Sequence, residues 1–178
     1  DERKTALDSI GRLRLDVANR LGIIPKDKLC FLWVLDFPMF SWNKDERRWD
    51  AEHHPFTSSD ATTPEELKKD PGKLIAHSYD LVLNGTELGS GSIRIHGQEM
   101  QQAVFEILGI GPEEAEEKFG FLLSALKFGA PPHGGFAFGL DRVVMILAGE
   151  PSLREVIAFP KTQRAICLVT GAPGRVAP

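Results

Sequence analysis

Cysteine is nearly absent from this chain. Cys30 and Cys167 are its two thiols among 178 residues, far apart and with no CxxC around either. That excludes a disulfide framework and a zinc ribbon as the organising force, points to a reducing compartment, and leaves both thiols to be read as buried. Long apolar runs are missing as well. Cys30 to Leu35 and Val143 to Ala148 are the longest, far short of the roughly 20 residues that cross a bilayer. Nor is there an excess of one charge: 21 basic against 25 acidic side chains leave a net of −4, which is not the footprint of a domain that holds nucleic acid by bulk electrostatics. No internal repeat is visible. The opening Asp1-Glu2-Arg3-Lys4 has neither an initiator methionine nor the pattern of a secretion signal, so the chain reads as a piece of something longer. A cytoplasmic location is expected, an organellar matrix being the alternative.

What is present suits a folded domain. With 42% hydrophobic and 26% charged residues, one sizeable core with at most a small appendage is expected, and disorder is not. Ala6, Ile10, Leu13, Val17 and Leu21 recur every three or four residues, which predicts a helix over 6–21 that Gly22 ends. The apolar run from Cys30 to Asp36 reads as a strand buried on both faces and stopped by Pro38. Residues 41–50 read as an exposed hairpin. Residues 57–72, rich in Ser, Thr, Asp, Pro and Lys, read as a mobile connection, lid or linker, with one helical turn near Pro64. Helices are expected over 98–108, 113–126 and 140–148, and short strands over 156–159 and 165–169. The acidic run 113–117 is a solvated helix start. This order fits an α+β domain, a mainly antiparallel sheet with helices packed on it.

The most informative stretch is the pair of strand-like runs on either side of Asn84-Gly85, the strongest short hairpin signal. A two-residue turn there pairs Leu83 with Thr86, Val82 with Glu87 and Asp80 with Gly89, so Asp80 and Glu87 share a face. Two carboxylates on one exposed face repel unless a cation lies between them, and so few hard oxygen ligands suit Mg²⁺ bridging to phosphate oxygens. The alternative is a pair of solvated surface acids. Gly89 and Gly91 favour a site, since glycine inside a strand often marks a close backbone approach. Arg94 has the wrong parity to join them, so a shared site requires a bulge within Gly89-Ser90-Gly91. Arg142 follows a glycine-rich turn at the start of an apolar helix, where a guanidinium can stack on a base and hold phosphate. Pairing with Asp141 is its plainer reading. His53 or His54 could donate to a carboxylate, while His77, His96 and His133 show no ligand spacing that favours a zinc hydrolase.

Assembled, these residues resemble the C-terminal half of the catalytic domain of bacterial-type aspartyl-tRNA synthetases, in class II of the aminoacyl-tRNA synthetases. The resemblance rests on Phe31-Leu-Trp-Val-Leu-Asp-Phe-Pro38, His53-His-Pro-Phe-Thr57, Tyr79-Asp-Leu-Val-Leu-Asn-Gly85, Glu87-Leu-Gly-Ser-Gly-Ser-Ile-Arg-Ile-His96 and Gly139-Leu-Asp-Arg142. It implies that residues 1–28 are the tail of an inserted domain with a linker helix, and that 29–178 belong to the class II catalytic domain. By motif, Asp80 and Glu87 would hold Mg²⁺. Glu87, Gly139, Leu140, Asp141 and Arg142 would bind ATP, with Glu87 and Arg142 as the catalytic pair. His53 and Arg94 would take L-aspartate, Arg94 through its side-chain carboxylate. The implied reaction makes aspartyl-adenylate and passes aspartate to tRNA, in a protein expected to be a homodimer and away from membranes. The first two class II motifs are not in this sequence, so the isolated chain is expected to be inactive. A synthetase-like binding or regulatory module is the alternative.

Overall fold

The computed structural model describes residues 3–25 and 27–174. Asp1, Glu2, Lys26 and residues 175–178 lie outside the described residues, and with them the outer ends of the expected domains 1–28 and 29–178. The chain divides into two compact units, Asp1–Cys30 and Phe31–Pro178. The first is a helix, α1 (Arg3–Arg20). Gly22, at φ +64°, closes it: its N–H bonds the Asn19 carbonyl, and the Ile23 N–H reaches back to Ala18. The apolar stripe of α1 is real but open, with Ile10, Leu13, Val17 and Leu21 all exposed.

The second unit opens with β1 (Phe31–Val34), β2 (Phe37–Pro38), β3 (Phe40–Asn43) and β4 (Arg48–Ala51). Then come α2 (Pro64–Lys69), β5 (Ile75–Ala76), β6 (Ser78–Leu83) and β7 (Thr86–Ile93), followed by α3 (Gln98–Ile107), α4 (Pro112–Lys127), β8 (Gly134–Phe138) and α5 (Leu140–Ala148). The main sheet is antiparallel in the order β1-β6-β7-β8, with β2-β5 and β3-β4 as separate pairs. Pro112 opens α4 from its first turn, where a missing N–H costs nothing. The hairpin at 41–50 closes with Trp42 opposite Trp49, their rings edge to face at 5.3 Å.

Four expectations fail here. The segment 57–72 is no mobile connection, since Thr57 and Ser59 are buried bridge residues and Leu67 of α2 is wholly buried. Thr63 caps α2 by accepting the Glu66 N–H, and Glu66 in turn accepts the Thr62 N–H at 2.8 Å. Leu67 joins Met39, Phe40, Leu74, Ala76, Ile95, Ala103 and Val104 in the core. Second, β1 is an edge strand, so Phe31, Leu32 and Trp33 are exposed rather than buried on both faces. Asp36, at φ +59°, turns the chain before Pro38 is reached. Third, residues 156–159 and 165–169 form no strands, because no neighbouring backbone pairs with them. The chain there folds on itself, Thr162 N–H to the Ile166 carbonyl and Cys167 N–H to Ala172. The thiols are not buried either: Cys30 is exposed and Cys167 half-buried.

Candidate functional site

Asn84 and Gly85, both at positive φ, make the tight turn that Asn-Gly predicts, and Leu83 pairs with Thr86 and Val82 with Glu87. The expected bulge is present, one residue earlier than expected. Leu88 is the extra residue, so Leu81 faces Gly89 and Asp80 faces Ser90 rather than Gly89. Strand parity therefore changes once, at Leu88. Ser78, Asp80, Glu87, Ser90, Ser92 and Arg94 all lie on one face of the hairpin, which settles the parity of Arg94.

The opposite face is aromatic. Tyr79 stacks on Phe136, and Trp33 meets both edge on. This explains the strand glycines differently from the close ligand approach expected of them. A Cβ on Gly91 would come within 2.5 Å of the Tyr79 ring, and one on Gly89 within 2.9 Å of Phe136. Their missing side chains make room for rings beneath the sheet.

Two depressions occupy the polar face and share Ser90 and Ala137 in their walls. The larger, about 370 Å³, is walled by Glu87, Gly139, Asp141, Arg142 and Leu153. Gly139 caps α5 and holds the segment to β7 through its N–H to the Leu88 carbonyl at 2.7 Å. Arg142 Nη1 donates to the Glu87 carbonyl at 2.8 Å and pairs with the Glu87 carboxylate at 3.1 Å. Its partner is thus Glu87 across the sheet, not the adjacent Asp141. Leu140 is exposed and does not line this cleft.

The smaller cavity, about 180 Å³, is lined by His53, His54, Ser78, Asp80, Ser92 and Arg94 among others. Burial, and next the negative charge of Glu87, push the Asp80 carboxyl above its ordinary range, with His53 pulling the other way. Asp80 Oδ1 is sealed from solvent without a hydrogen-bond partner. A buried, unpartnered carboxylate oxygen beside a second acid fits a divalent cation, and the pair would leave most of the shell of a Mg²⁺ ion to water and phosphate.

His54, which the sequence offered with His53 as a donor to a carboxylate, is instead set against Arg94, a contact that sequence reasoning missed. Arg94 Nη1 lies against its ring, 3.1 Å from Nδ1, and the Phe56 N–H donates to the same nitrogen at 3.2 Å. Arg94 Nη1 also touches Nε2, and both neighbours are donors, which disfavours a second proton on the ring. Burial, then the charges of Arg94 and His53, hold its pKa below the ordinary 6.5. His53 packs edge on to Phe37 at 4.8 Å and lines the cavity from its rim. Among the described residues no carboxylate pairs with Arg94. The face therefore offers an unclaimed guanidinium and Asp80 in a small cavity, and Glu87 paired with a second arginine at a larger cleft.

A family model described as tRNA synthetases class II (D, K and N) matches residues 8–163. An aspartate–tRNA(Asp/Asn) ligase of Desulfosudis oleivorans is 55% identical over 97% of this chain, which covers 29% of that protein. Its counterpart in Oleidesulfovibrio alaskensis is 57% identical over 96% of this chain, covering 28% of that protein. The chain thus spans less than a third of the length of the curated relatives it matches. Among solved structures, the aspartyl-tRNA synthetase of Entamoeba histolytica superposes with a TM-score of 0.55 at 26% identity, over 75% of this chain and 23% of that one. The asparaginyl-tRNA synthetase of the same organism, in complex with asparaginyl-adenylate, gives 0.56 at 22% identity over 84% of this chain and 34% of that one, a likeness of fold alone.

Proposed function

The chain belongs to the class II tRNA synthetases of the D, K and N group, and from that premise we propose that it is the part of an aspartate–tRNA ligase that selects L-aspartate and holds one side of ATP. One observation carries the reading: Arg94 sits in a cavity of about 180 Å³ with its charge unclaimed by any described carboxylate, oriented by a neutral His54. A planar guanidinium takes a carboxylate through two parallel N–H bonds and offers nothing to an amide NH₂, so it favours aspartate over asparagine. His53, at the rim, closes over the bound amino acid.

The α-carboxylate of aspartate attacks the α-phosphorus of ATP, pyrophosphate leaves, and the resulting acyl-adenylate passes its aspartyl group to a tRNA hydroxyl with release of AMP. Gly139, Asp141 and Arg142 hold ATP at the larger cleft, Arg142 exchanging its Glu87 contact for phosphate oxygens. Asp80 and Glu87 would hold Mg²⁺, whose charge offsets that of the phosphates. A preorganised positive charge is what phosphoryl transfer needs most, and the arginine of the second class II motif belongs to a part of the protein outside this sequence. The working enzyme is therefore the longer protein, which we place in the cytoplasm as a homodimer charging tRNA with aspartate.

The test is aspartate-dependent ATP–pyrophosphate exchange by the full-length protein. Arg94→Lys is expected to raise KM for aspartate about 10- to 100-fold, the size of a lost charge-assisted pair, with KM for ATP unchanged. An unaltered aspartate KM would overturn the role of Arg94. ATP binding with no exchange in the unmutated protein would favour the passive binding module.

A further inference from the structure

Two hydroxyls in the smaller cavity have no use in the scheme above. Ser78 and Ser92 stand directly opposite each other on β6 and β7, 5% and 3% exposed, and both line the cavity that holds Arg94. Neither Oγ has a hydrogen-bond partner, and both are shut off from solvent. Buried hydroxyls are almost always paired, because a donor removed from water and left unmatched is destabilising. Two unmatched hydroxyls facing each other across a ladder, in one small cavity beside an unclaimed guanidinium, are a pair of donors waiting for an acceptor.

The register puts Ser78 two residues before Asp80, and Ser92 two residues before Arg94, on the same face. The strand opposite contributes only Gly135 at the level of Ser92 and Ala137 at the level of Ser90, so nothing from β8 fills that space. A third cation at this depth would need its own counter-charge. Neutral hydroxyls can serve an anion without one, and a carboxylate clamped by one guanidinium still has lone pairs to satisfy.

We infer that Ser78 and Ser92 are specificity residues that form the neutral floor of the aspartate pocket, donating their hydroxyl protons to the side-chain carboxylate that Arg94 holds. This rests on the aspartate reading of the cavity. Arg94, a donor only, excludes the amide; the serines, which donate or accept, fix the depth and tilt of the carboxylate.

The pair makes an unusual demand on stability. If the hydroxyls await substrate, Ser78→Ala and Ser92→Ala remove an unmatched polar atom from the empty protein and leave the Cβ in place. Each is then expected to keep or raise Tm while raising KM for aspartate about tenfold, with kcat and KM for ATP little changed. The full-length protein is assayed by pyrophosphate exchange, by thermal melting, and by the further upward shift in Tm that aspartate produces. That last shift should shrink in both variants. A fall in Tm with aspartate KM unchanged would mean that the hydroxyls serve packing, and would overturn the inference. So would two variants indistinguishable from the parent, whose hydroxyls would then be satisfied by water. If the unmutated protein does not use aspartate at all, the underlying reading fails instead, and the two failures are told apart.

Discussion

The two ends of the polar sheet face carry one arginine each, and the arginines are kept in opposite ways. Arg142 is already bound, to both the carboxylate and the backbone carbonyl of Glu87. Arg94 is held only by an imidazole on which a second proton is disfavoured, with no acid among the described residues to answer it. One end stores its charge in an ion pair that a phosphate can displace. The other lines a small cavity with no described carboxylate to answer it. An ion pair with both partners about half exposed exchanges partners at little cost, whereas a guanidinium without a counter-charge has no existing pair to give up. On the proposed function, the contrast would separate the side that holds ATP from the side that selects aspartate.

Arg142→Ala is the strongest way to break this contrast. It is expected to reduce pyrophosphate exchange by about 10³-fold in the full-length protein while leaving aspartate binding, followed by calorimetry, near the parent value. Equal loss at both ends would mean that the two arginines act as one unit. Gly91→Ala comes next, because Gly91 lines the smaller cavity. Its Cβ would meet the Tyr79 ring and the Gly135 carbonyl, so a loss of about 1–3 kcal/mol in denaturant unfolding is expected. Gly135→Ala, whose Cβ meets nothing within 4 Å, should cost almost nothing.

The smallest effect is one of pH, and it should touch only the Arg94 end. The folded state keeps His54 below its ordinary 6.5, so as pH falls through 6.5 the unfolded chain takes up a proton before the folded one does. Stability is therefore full above that pH and declines below it, towards the depressed pKa. His54→Gln should flatten the decline measured by urea unfolding between pH 7 and 5. An unchanged slope would place the titrating group elsewhere.

Much of this was legible locally. Asn84-Gly85 announced the hairpin, Pro112 suits the first turn of α4, and the wrong parity of Arg94 demanded a bulge, which occurs one residue before the expected stretch. The residues that could not be read are those whose state depends on distant chain. Phe31 to Trp33 look like a central strand in composition, yet they lie at an edge. Residues 156–159 and 165–169 have strand-like composition but no partner backbone, and a strand without one does not form. Gly89 and Gly91 pointed to a ligand because a flat reading of the strand cannot see the Tyr79 and Phe136 rings under it.

Turn chemistry and side-chain spacing were enough to establish where the hairpin reverses and where the main helices lie, because those properties reside within a few consecutive residues. Tertiary structure alone decided that Leu88 is the residue squeezed out of register, that Arg142 pairs with Glu87 and that His54 sets Arg94. It also decided that two serines are left facing each other without partners. Each of these depends on which backbone lies across the ladder, and that choice is made by the packing of the whole sheet.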